Sequence, residues 1–179
     1  QELSPEDGAE DLIADVATVT ASGGIGSLRP LETRFNELVM NSTMAGNIDL
    51  NESDSLFLNT VTTESGSITL DVATGDLIVD FVRAGATLGD NLFLTVDNGG
   101  IQEATVEDGS EDLLANVATI NAFGGIGSVH ALETAFTELV MNSLSSGDID
   151  LNETDSIFIN ALTTEAGDIT FDSAAGDVT

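Results

Sequence analysis

Gly46-Asn47-Ile48-Asp49-Leu50-Asn51-Glu52-Ser53-Asp54-Ser55-Leu56-Phe57-Leu58 is echoed twenty residues later by Gly66-Ser67-Ile68-Thr69-Leu70, with Leu77-Ile78-Val79 behind it. It then returns almost unchanged as Gly147-Asp148-Ile149-Asp150-Leu151-Asn152-Glu153-Thr154-Asp155-Ser156-Ile157-Phe158-Ile159. A short period nested in a long one is the pattern of a solenoid, in which each coil repeats the last and buries its apolar side against its neighbours.

The long period is constant. Gly23-Gly24-Ile25-Gly26-Ser27 recurs as Gly124-Gly125-Ile126-Gly127-Ser128, an offset of 101. Leu31-Glu32-Thr33 recurs as Leu132-Glu133-Thr134, and Glu37-Leu38-Val39-Met40-Asn41 as Glu138-Leu139-Val140-Met141-Asn142, at the same offset. The chain therefore divides into a first repeat, 1–101, and an incomplete second repeat, 102–179. Both are expected to belong to one continuous body. A solenoid can stop between any two coils, so the expectation is a window on a longer array.

Within a repeat, alternation puts Ile48, Leu50, Ile68, Leu70, Leu92 and Leu94 on one face and Asp49 and Thr69 on the other. Glycine, Asn and Asp stand at the junctions, where the chain must turn. Three kinds of short strand are read per coil: one like 47–50, one like 56–58 and one like 60–62. With about four coils per repeat this describes an all-β, right-handed parallel β-helix rising about 19 Å per repeat at ~4.8 Å per coil. Leu31, Phe35 and Leu38 stand at helical spacing, so 30–38 is either a short helical insertion or a wide corner. The competing fold is a tandem of immunoglobulin-like sandwiches of ~100 residues each. The absence of Trp and Tyr and the internal echo count against it.

The chain carries 32 acidic residues against three arginines, Arg29, Arg34 and Arg83, for a formal charge of −29. Such a polymer repels nucleic acid and anionic membrane surfaces, and gains stability from ions that screen its self-repulsion. Regularly spaced Ile, Leu, Val and Phe argue against disorder. The lack of cysteine excludes a disulfide scaffold or a thiolate metal site. No signal peptide and no bilayer-length apolar run is read, so any export signal is expected outside the segment.

Gly23-Gly24-Ile25-Gly26-Ser27, Pro30-Leu31-Glu32-Thr33 and Gly46-Asn47-Ile48-Asp49-Leu50 together resemble the repeats of giant bacterial exoproteins, the filamentous-haemagglutinin-like adhesins. The resemblance covers nearly the whole chain. It implies a right-handed β-helical shaft, secreted and displayed at a bacterial surface or in its matrix. Arg29-Pro30 and His130-Ala131 replace the family's Asn-Pro, and the family brings no catalytic motif.

The residues bear on four chemistries. Asp49, Asn51 and Asp54, with Asp150, Asn152 and Asp155, offer hard oxygens that suit Ca2+, though without EF-hand spacing. Polysaccharide cleavage needs positioned carboxylates or a base, yet Arg29 and Arg34 become His130 and Ala135 in the second copy, so no enzyme is expected. Phe57, Ile78 and Phe158 are expected to face outward and to support lateral self-association. Open coil ends would support stacking end to end. The expected function is a structural extracellular fibre or adhesin shaft. The alternatives are a calcium- or glycan-binding adhesin module and, third, a fragment of a carbohydrate-active enzyme.

Overall fold

The computed structural model describes residues 8–86, 89–105 and 109–179. Its elements are all strands: β1 (Leu12–Ala21), β2 (Leu31–Ala45), β3 (Ile48–Glu52), β4 (Leu56–Ser65), β5 (Ile68–Val72), β6 (Leu77–Val79), β7 (Val82–Arg83), β8 (Asn91–Val96), β9 (Ile101–Glu103), β10 (Leu113–Ala122), β11 (Leu132–Ser146), β12 (Ile149–Glu153), β13 (Phe158–Ala166) and β14 (Ile169–Ser173). Among the described residues every paired strand is parallel. That excludes the antiparallel sandwich and leaves a β-solenoid. One register column, Leu12–Thr33–Glu52–Val72–Val96–Ala122–Ser143–Thr164, takes seven steps along the axis, so the chain makes seven turns.

Each turn passes through two β-runs, where the sequence was read as three strands. The segments 56–58 and 60–62 form one strand, β4. It stacks on an unbroken run of β2, with Leu38 against Leu58 but Val39 already against Thr60. The extra residue is a β-bulge at Asn59, so inward positions run Leu56, Leu58, then Val61 and Thr63. A skipped step also explains 30–38, where no helix forms. Leu31, Thr33 and Phe35 point inward, the strand turns the edge of the coil at residues 36–37, and Leu38, Met40 and Ser42 point inward after it. Two period-2 runs joined out of phase imitate helical spacing.

The repeat does not contain a whole number of turns. Four turns carry Ile48 through Ile68, Leu92 and Ala118 to Leu139. Ile149, the counterpart of Ile48, comes half a turn later and stacks on Ile126, Ile101, Leu77 and Leu56 of the other face. One repeat is therefore four and a half turns, and corresponding residues of successive repeats lie on opposite faces. The expected count of about four coils per repeat is thereby sharpened by a half turn. It also explains why Ile25 stacks beneath Ile48, while its copy Ile126 stacks on Ile101.

The core is the space between the two faces, filled by ladders such as Leu50–Leu70–Leu94–Ile120–Met141, all buried. Burying each such side chain contributes roughly 1.5–3 kcal/mol, which offsets the cost of ordering short strands. A loop early in each repeat leaves this frame. Ile25-Gly26 lies beneath Ile48-Asp49, residues 27–30 swing out, and Leu31 resumes the ladder beneath Leu50. Gly26 (φ +69°) makes the exit, and a Cβ there would lie 2.0 Å from the Asp49 carbonyl oxygen. Gly127 (φ +67°) repeats it, with 2.2 Å to Asp150 O.

Gly127→Val should therefore cost at least about 2 kcal/mol in urea unfolding, from strain and clash together. Gly109→Val, at φ +78° with no atom near its virtual Cβ, should cost only the left-handed strain of roughly 1–2 kcal/mol. Equal losses at the two positions would refute this account of the loop exit.

Candidate functional site

Each repeat buries a glutamate at an edge of the coil, and the half turn places the two at opposite edges. Glu52 ends β3 on an inward position with 1% of its surface exposed, and Glu153 ends β12 with none. The edge is where β2 changes face, so its backbone N–H groups lose their ladder partners there. The carboxylate supplies them. Glu52 Oε2 accepts from Thr33 Oγ1 (2.9 Å) and from Phe35 N (3.1 Å), and Oε1 accepts from Ser53 N (3.0 Å). Glu153 accepts from Thr134 Oγ1 (2.9 Å) and Phe136 N (3.2 Å). Burial raises the Glu52 carboxyl above its ordinary range, against the donors that favour the anion. For Glu153 burial pushes the value to about 7, opposed by Thr134 and Phe136 and reinforced by the charge of Asp155.

A second acidic group lies beside the edge that holds Glu153. Carboxylate oxygens of Glu103, Asp112 and Glu133 all fall within 4.8 Å of one another, and all three residues are buried. They come from two adjacent turns: Glu103 at the end of β9 and Asp112 just before β10 stack on the turn that carries Val79 and Val82, and Glu133 of β11 lies one turn further on. Asp112 Oδ2 accepts from Glu133 N (2.9 Å), and Glu133 Oε1 accepts from Gly109 N (3.1 Å). In the first repeat Asp11 Oδ2 accepts from Glu32 N (3.3 Å) and Glu32 Oε1 from Gly8 N (3.1 Å). The third counterpart, Glu2, lies outside the described residues. Three hard, anionic donors brought this close are the residues that could hold a divalent cation, because neighbouring carboxylates ionise together only against a positive charge.

The sequence-based candidates fall elsewhere. Asp49 and Asn51 occupy successive outward positions of β3, about 7 Å apart along the strand. Asp54 lies in the following turn, near Asp15 and Arg34. Asp150 and Asn152 repeat the arrangement on β12, with Asp155 in the next turn. Phe57 is half-buried between buried Leu56 and Leu58, with Ile78 in register beside it and 38% exposed; Phe158 is 50% exposed. His130 lies in the outward loop of the second repeat. Sequence reasoning passed over Glu103, Asp112 and Glu133, although the signal was present: Glu2, Asp11 and Glu32 recur at the 101 offset. What hid them was their separation along the chain, which is closed within one turn for Glu103 and Asp112 and by the stacking of the next turn for Glu133.

Comparison of the chain with protein-family models, with curated proteins and with solved structures finds no match. The adhesin-like resemblance thus rests on the quoted motifs and on the solenoid they form.

The buried glutamates make stability depend on pH with a definite sign. A carboxyl whose folded value lies above its unfolded 4.5 binds more protons in the native state, so its contribution is full below 4.5 and is lost as pH rises through about 7. Unfolding free energy should fall between pH 5 and 7, Glu153 contributing at most about 3 kcal/mol. Glu153→Gln should flatten that slope in urea titrations. An unchanged slope in the variant would remove Glu153 from the account.

Proposed function

We propose that this chain is a segment of an extracellular structural shaft, a β-helical fibre or adhesin stalk of a bacterial surface, whose useful properties are length, stiffness and an acidic coat. The observation that supports this most is the junction between repeats. β10 seats on β7 and β8 in the same parallel register as every other turn, with Val82 N donating to Asp112 O (2.7 Å) and Asn116 N to Asp90 O (2.9 Å). The repeats share one ladder and one core, so load applied along the rod passes through backbone hydrogen bonds without a hinge. The charge of −29 keeps such a rod hydrated and disfavours nucleic acid and anionic lipid as partners. The motif resemblance supports the same reading.

A continuous shaft should unfold in one transition. Leu94→Ala in the first repeat and Leu132→Ala in the second should each lower that same transition, by about 2–5 kcal/mol. Two transitions, each answering to only one substitution, would sink the shaft.

A second reading, a cation-stabilised adhesin module, is favoured by the convergence of Glu103, Asp112 and Glu133. On this reading millimolar Ca2+ raises the melting temperature by several degrees, a chelator reverses it, and Asp112→Asn abolishes the response. The same melting curve in calcium and in chelator would dismiss it.

A further inference from the structure

We propose that successive repeats turn the same nearly neutral strand face to alternate sides of the rod, and that these faces join rods side by side, the partner being a second copy of this chain. The inference rests on the shaft reading and names its partner. In the first repeat the outward side chains of residues 16–21, 37–42 and 57–62 are Val, Thr, Asn and Phe, with one carboxylate, Glu37. Its Oε1 accepts from Asn59 Nδ2 at 2.8 Å. The second repeat rebuilds the face on 117–122, 138–143 and 158–163, again with a single carboxylate, Glu138, bonded to Asn160. In a chain of 32 acidic residues this is a marked exclusion of charge.

The face is also ordered and partly apolar. Thr62 Oγ1 donates to Asn41 Oδ1 (3.1 Å), Asn142 Nδ2 to Asn121 Oδ1 (2.9 Å), and Thr163 Oγ1 to Asn142 Oδ1 (2.6 Å), running along the axis. Phe57 and Ile78 lie side by side on one face, and Phe158 stands on the other. Phe57 is half-buried and Phe158 exposed, each in register with the single carboxylate of its face, Glu37 or Glu138, and part-exposed aromatics in otherwise uncharged surface are the usual composition of a contact.

Electrostatics selects the occupant. Two rods of charge −29 repel wherever carboxylates face each other, and approach most closely where there are almost none. A basic partner would be drawn to the acidic turns, away from this face. The half-integral repeat then sets the assembly: each rod offers the face on both sides, so pairing does not close at two. Six residues by three strands cover only about 300 Å2 per repeat, against ~800 Å2 per partner in a stable interface. A single pair of faces is weak, and strength accumulates with the number of repeats.

Sedimentation of the whole chain at its highest soluble concentration in molar salt tests this. Average mass should climb without a plateau. Phe57→Glu with Ile78→Glu, blocking one face, should halt growth at a dimer, and adding Phe158→Glu should leave monomer. A far-UV spectrum and a cooperative unfolding transition check that the variants fold, and Ile78→Glu alone serves if Phe57 cannot be changed. Monomer at every concentration, together with one cooperative unfolding transition, overturns the lateral contact and leaves the shaft intact. Association indifferent to the substitutions, or monomeric chains retained on a neutral polysaccharide, overturns it as well.

Discussion

The parallel backbone ladder that binds each turn to the next is the constraint on which the rest depends. Every turn donates to and accepts from both neighbours in alternation, as when Ile48 N donates to Ser67 O on one side and Asp49 N to Ile25 O on the other, so no strand is satisfied alone. From this follow the inward columns of Ile, Leu and Val, since residues in register on successive turns must stack on one another. The ladder also fixes where the chain has freedom. Residues can be added only where they leave the stack, as at 27–30 and 128–131, where Gly26 and Gly127 adopt a backbone that a side chain would obstruct. Bulges such as Asn59 absorb single residues without breaking the column.

Burial of charge at the coil edge is the other feature that defines the molecule. A solenoid of two faces must turn sharply, and at the turn the backbone loses its regular partners. Glu52 and Glu153 repair this by accepting from the orphaned amides, at the cost of placing a carboxyl in the core. Burial pushes the Glu153 carboxyl up for the same reason. Nearby, Glu103 and Asp112 of one turn and Glu133 of the next gather three buried carboxylates within 4.8 Å of one another.

The four-and-a-half-turn repeat decides how these local features are disposed around the solenoid axis. A whole number of turns would align every loop, edge glutamate and neutral face along one side. The extra half turn sends them to alternate sides, so a rod built from many such repeats has no unique front. That two-sidedness arises because turns of about twenty residues do not divide the 101-residue repeat into a whole number.

The sequence by itself determined the solenoid, its parallel all-β character, the 101-residue repeat and the inward columns from Ile48 to Leu94. These depend on period-2 alternation and on self-similarity, which are legible one residue at a time. Tertiary structure decided how the strands divide into turns. Out-of-phase joins at Asn59 and at residues 36–37 make one strand look like two, or like a helix, and only the register of the neighbouring turn tells a bulge from a corner. It also decided the half turn and the meeting of Glu103, Asp112 and Glu133. Those depend on the summed length of loops between ladder positions, and a loop's length does not announce which face the chain will rejoin.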